Sequence, residues 1–71
     1  MSSAPIVVHP PSPTGGRRVT VRQGGIVGLA HSDRDVTEFL RRAGLDDADG
    51  LLDDPSWVEW RGGRAHEFEA A

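Results

Sequence analysis

The apolar positions of this chain change period along its length, and each period predicts a different element. From Arg17 to Arg22, Val19 and Val21 alternate with Thr20 and Arg22, the two-residue repeat of a half-buried strand. Gln23-Gly24-Gly25 supplies the positive-φ positions of a tight hairpin, and Ile26-Val27-Gly28-Leu29-Ala30 reads as the return strand. The return run has apolar residues on both faces, which predicts a central strand covered on both sides. At Ser32 the period lengthens. Val36, Phe39, Leu40 and Ala43 recur at i, i+3, i+4 and i+7, the apolar stripe of a helix over 33–43. Ser32 stands at its N-cap with Asp35 three residues on, and Asp33 and Asp35 fall where the helix dipole favours anions. Gly44 is placed to end the helix, with Leu45 supplying the apolar contact that accompanies such an ending.

The remaining segments are less regular. Ile6-Val7-Val8 is a short β-favouring run, and His9-Pro10-Pro11-Ser12-Pro13-Thr14-Gly15-Gly16 closes it. Proline removes donors and glycine resists ordering, so that closing stretch reads as a stiff connector. Asp46 to Asp54 is a short second helix or a turn, with Asp46 as its cap, Leu51 and Leu52 to bury, and Pro55 forcing its end. Ser56-Trp57-Val58-Glu59-Trp60-Arg61 reads as a strand from its aromatics and β-branching. Gly62-Gly63 makes a turn, and Arg64 to Glu69 is a last strand or a loose tail. Together these predict an α+β fold: an antiparallel sheet, made of the hairpin and the C-terminal strand, packed on one main helix and a short second one. Residues 1–5 are expected to be a flexible start, 6–61 the domain, and 62–71 the turn and tail.

Composition narrows this picture. The chain has 71 residues and no cysteine, which removes disulfides and thiolate metal sites. No apolar run approaches the roughly 18 residues that span a bilayer, and the mean hydropathy is -0.42. Met1 to Pro5 has neither the basic start nor the apolar run of a signal peptide. A chain this short builds a thin core, so association with a second copy is expected. All eight basic residues are arginine, and they are unevenly spread. Arg17, Arg18 and Arg22 give residues 1–32 a charge of +3, whereas 33–71 carry five arginines and eleven carboxylates, or -6. An acidic partner, or the acidic half of a second copy, would complement the basic half.

Few residues suggest chemistry. His31-Ser32-Asp33 holds the three residue types of a hydrolytic triad, but consecutive residues point in different directions and Ser32 already has a capping role. His9, His31 and His66 lack any paired spacing that would place two on one face for a metal. The acidic stretch fails the calcium-loop pattern at both ends, with Leu45 at its first position and Ser56 at its twelfth. No catalytic, cofactor or metal residue is therefore assigned. A helix-turn-helix is disfavoured, since its second helix would bring aspartates to phosphate. Arg17, Arg18 and Arg22 on the hairpin are the candidate nucleic-acid contacts, and Arg61-Gly62-Gly63-Arg64 is a single RGG-type string beside them.

Trp57 and Trp60 invite the closest reading. Residues three apart in a strand face opposite sides, so one indole packs inwards and the other needs a cover. If Trp60 is the outward one, an edge-strand homodimer or a partner protein would supply it. Trp57, Trp60 and Phe68 are the candidate interface residues on this reading.

Three strings, Gly28-Leu29-Ala30-His31-Ser32, Glu38-Phe39-Leu40-Arg41-Arg42-Ala43-Gly44-Leu45 and Asp53-Asp54-Pro55-Ser56-Trp57-Val58-Glu59-Trp60-Arg61-Gly62-Gly63, resemble a group of small uncharacterised proteins of actinomycetes such as streptomycetes. The resemblance runs from about residue 5 to residue 64 and implies a cytoplasmic bacterial protein, with no activity attached. The expectation is a non-enzymatic interaction or regulatory module working as a homodimer. Nucleic-acid binding through the hairpin is its first rival, and a small enzyme or metal site around His31 its second.

Overall fold

The computed structural model describes residues 4–22 and 24–69, without the side chain of Ile26. Six elements follow in order: β1 (Ile6–Pro11), β2 (Arg17–Val21), β3 (Gly25–Ala30), α1 (Asp33–Arg42), α2 (Ala48–Leu51) and β4 (Val58–Trp60). The α+β class is as the periods predict. The strands form one sheet in the order β3-β2-β1-β4. β1 pairs antiparallel with β2, and β2 with β3, but β4 joins β1 in parallel register, Ile6 opposite Val58 and Val8 opposite Trp60. The sheet is thus mixed rather than antiparallel. The two helices lie between β1 and β4 in sequence, giving the long connection that parallel neighbours require.

Several sequence expectations change. β1 runs on through His9, Pro10 and Pro11 instead of stopping at Val8. This is tolerated because β4 pairs only with Ile6 to Val8, and the β2 register shifts between Val8 and Pro11, so the ladder asks less of the prolines. β3 lies at an edge of the sheet, not at its centre, and Leu29 on it is 49% exposed. Of the two readings of residues 64–69, the strand does not form and the segment is turns and irregular chain; β4 is shorter than the predicted 56–61. Of the expected loose start, residues 1–3 lie outside the described residues, while Ala4 is buried. Gln23 of the hairpin turn and residues 70 and 71 lie outside them as well.

α1 forms as its sequence dictates. Ser32 is extended at the N-cap and its Oγ accepts from the Asp35 amide, while Asp35 Oδ2 accepts from the His31 amide at 2.9 Å. At the other end Gly44 adopts φ +90, its amide donating to Arg41 and that of Leu45 to Leu40, the pair of bonds that closes a Schellman motif. α2 is a single turn. Asp47, not Asp46, takes its N-cap position, in left-handed geometry at φ 56 and without a side-chain cap bond.

The core lies on one face of the sheet. Ile6, Val8, Val19, Ala30 and Val58 meet Val36 and Leu40 of α1, Ala48 and Leu52 around α2, and Phe68 from beyond β4. Gly28 is part of this packing, because a Cβ there would stand 2.7 Å from the Phe39 ring. Alternation sends Val7, His9, Arg18, Thr20, Leu29 and Glu59 to the opposite face.

Candidate interaction surface

The residues singled out in the sequence divide between the two faces. Arg17 shares the parity of Val19 and Val21, so β2 aims it into the core side, where it is wholly buried. Its guanidinium is fully satisfied without a carboxylate. Nε donates to the His9 carbonyl at 2.7 Å, Nη1 to those of Arg64 and Glu67 at 2.9 Å each, and Nη2 to those of Arg61 and Gly62 at 2.6 and 2.7 Å. Five donors in a rigid fork suit a nest of carbonyls that a three-donor ammonium would leave half filled. Burial lowers the Arg17 pKa from its ordinary value. Arginine remains charged in spite of such a shift. Arg17 therefore does not face solvent as a nucleic-acid contact; it pins residues 61–67 over the open end of the core.

Two of the three candidate interface residues pack against that pinned segment and the core. Phe68 is buried in the core. Trp60 is half-buried, its indole N–H donating to the Leu52 carbonyl at 2.9 Å. Its ring meets Phe68 edge-on at 5.9 Å, lies 5.1 Å from the His66 ring, and takes the Arg17 guanidinium at 5.2 Å. Of the three, only Trp57 is largely open, at 39% exposure.

Sequence reasoning missed a second tether in the same segment. His66 sits at φ 72 with Nδ1 2.8 Å from Asp33 Oδ2 and Nε2 2.6 Å from Asp53 Oδ1. A neutral imidazole carries one N–H, so carboxylates at both nitrogens call for the imidazolium. The Asp33 bond, then the Asp53 bond, raise the His66 pKa above its ordinary 6.5. Asp33 Oδ1 is buried with no hydrogen-bond partner among the described residues, and the N-terminus of α1 and the imidazolium offset its charge. The three residues are 33 and 13 positions apart, so no local spacing announces them.

The two carboxylates occupy opposite nitrogens of one ring, and among the described residues no group of three or more ligating side chains could hold an ion. Beside this cluster runs an open groove of about 470 Å³ along β4, lined by Leu52, Asp53, Pro55, Val58 and Trp60 among others. His31 is exposed, and the carboxylate of the neighbouring Asp33 is engaged by His66 instead.

Among the described residues no helix packs on the opposite face of the sheet. Both helices and Phe68 pack on the core side, and alternation leaves here Arg18, Thr20, Glu59 and the exposed Leu29, with Val7 buried among them. Arg22 donates to the Ala4 carbonyl and to Glu59 Oε1, and Arg61 closes on the other oxygen of Glu59. These contacts, the Arg61 bond foremost, hold the Glu59 carboxyl below its ordinary range. His9 Nε2 lies 2.9 Å from Thr20 Oγ1, and burial, followed by Arg61 and Arg18, lowers its pKa. Arg18 is exposed and stands across the ladder from Leu29. Glu59 is the single carboxylate in any of the four strands. Comparison with protein-family models, with curated proteins and with solved structures gives no match for this chain.

Proposed function

We propose that this chain is a non-enzymatic interaction module that docks another protein on the open face of its sheet. One observation carries the reading: both helices are committed to one face, while the other bears Arg18, Arg22, Arg61 and the exposed Leu29. Arginine beside large apolar groups is the composition enriched at protein interfaces. Trp57, in the turn just before β4, is a second exposed large apolar residue. Trp60 and Phe68 are covered within the chain, so a second copy is not needed to cover them.

Affinity capture compares the wild-type chain with Leu29→Asp, after matched melting temperatures show that the variant folds. The reading expects protein partners held by the wild type to be lost from the variant. Equal capture by both would reject the face as the binding surface.

A further inference from the structure

The geometry points to an acidic, extended protein segment as the occupant of the open face, lying across β2 and β3 with its carboxylates on Arg18 and its apolar side chains on Leu29. This rests on the reading of that face as a docking surface.

Charge is the first argument. Arg18, Arg22 and Arg61 against Glu59 give the face +2, so with the whole chain at -3 everything else carries -5. The other ten carboxylates all lie outside the strands, in 33–54 and 67–69. Arg22 and Arg61 both spend themselves on Glu59, whereas Arg18 has no carboxylate within salt-bridge distance among the described residues. It is the guanidinium free to take an incoming carboxylate, and a bidentate pair is the strongest form such a contact takes.

Size is the second. Four strands about 4.8 Å apart, read over about five residues of about 3.3 Å each, offer a flat area of roughly 300 Å². A standard interface buries about 800 Å² per partner. The face fits a strip of chain better than a folded surface, and weak, salt-sensitive binding is the consequence.

The rival occupants fare worse on the same observations. Single-stranded nucleic acid asks for successive aromatic platforms along a basic groove. The inner rows here hold Val7 and Thr20, and the exposed tryptophan is at the margin. A second copy stacked face to face would set arginines against arginines. Seated instead on the acidic layer, it would form a head-to-tail contact, which gives a ring or a filament rather than a two-fold dimer.

The test is a titration of the full ¹⁵N-labelled chain with three probes: a short capped glutamate-rich peptide with leucine at each end, its lysine-rich analogue, and an oligothymidylate of equal length. The expected result is movement of the Arg18, Thr20, Leu29 and Glu59 amide signals with the acidic peptide alone. High salt and Arg18→Glu should each weaken it by about tenfold, while Arg34→Glu on α1 leaves it unchanged. No movement, or movement confined to the helices, would overturn the inference. So would the same signals moving with oligothymidylate instead, which assigns the face to nucleic acid, or moving on dilution without any probe, which assigns it to a second copy. If Leu29→Asp abolishes partner capture while the acidic peptide fails to bind, the docking reading stands and the acidic occupant falls.

Discussion

Arg17 and Arg18 are neighbours in β2, carry the same side chain, and have opposite fates. Arg17 points to the core side, is wholly buried, and gives all five donors to backbone carbonyls. Arg18 points to the open side and is exposed opposite Leu29. The strand's two-residue alternation alone separates them. The comparison teaches that a basic residue near the N-terminus of this chain is a structural device on one face and, on the reading proposed above, a recognition group on the other. A composition-level charge of +3 for that half merges the two roles.

The sharpest way to break the contrast is Arg17→Ala. It removes five hydrogen bonds and leaves carbonyls of His9, Arg61, Gly62, Arg64 and Glu67 without their donor. Stranding five part-buried carbonyls and emptying the space of a wholly buried side chain put the expected loss at about 3 kcal/mol, a large share of the stability of so small a domain. A urea midpoint measures it. Arg17→Lys should recover only part of the loss, since an ammonium has three donors. Full recovery by lysine would mean that charge, not the fork, holds the segment.

Phe68→Ala attacks the same closure from the apolar side and should cost about 3 kcal/mol. Its coupling to Arg17→Ala is the more telling measurement. If Arg17 acts by seating residues 61–67, removing both should cost clearly less than the sum of the two. Simple additivity would separate Phe68 from the Arg17 hub. On the sheet itself, Gly28→Ala should lose about 1 to 3 kcal/mol by overpacking, as its Cβ meets the Phe39 ring at 2.7 Å.

Much of this was legible in the chain, and the rest was hidden for identifiable reasons. The β2–β3 pair and α1 with both of its ends follow from contacts within a few residues, so period and capping residues suffice to find them. The parallel seat of β4 depends on a connection through two helices, and the extension of β1 across Pro10 and Pro11 depends on where β4 stops. Neither is encoded nearby. The burial of Arg17 was present in the alternation with Val19 and Val21, and is obscured only by the habit of placing arginine outside. Its partners are carbonyls, which have no side-chain signature. The Asp33–His66–Asp53 bridge joins three segments far apart in sequence, and a pattern search for paired histidines passes over it.

The His66 bridge is the weaker tether of the same segment, and its pH dependence gives a smaller test. The folded-state pKa is raised above the ordinary 6.5. The stabilisation is therefore fully present below about pH 6.5 and lost as pH rises through the folded value. Its side chain is 37% exposed and Asp53 is 80% exposed, so solvent screening keeps the expected effect under about 1 kcal/mol. Denaturation of wild type and His66→Gln at about pH 6 and about pH 9 should show a gap at the lower pH that narrows at the higher. A gap that widens with pH would reverse the assigned protonation state.

The smallest expected effect returns to the neighbouring pair. Arg18→Ala removes a side chain exposed on the open face, with no hydrogen bond among the described residues to a carboxylate or carbonyl. Its stability should stay within about 0.5 kcal/mol of wild type. The same substitution should weaken capture of an acidic partner, whereas Arg17→Lys, where it still folds, should leave capture intact. A substantial loss of stability from Arg18→Ala would mean that the open face is an integral part of the fold, and the division of roles between adjacent arginines would not hold. Stability and binding measured on both variants thus separate the two faces, because each arginine is predicted to move one quantity and spare the other.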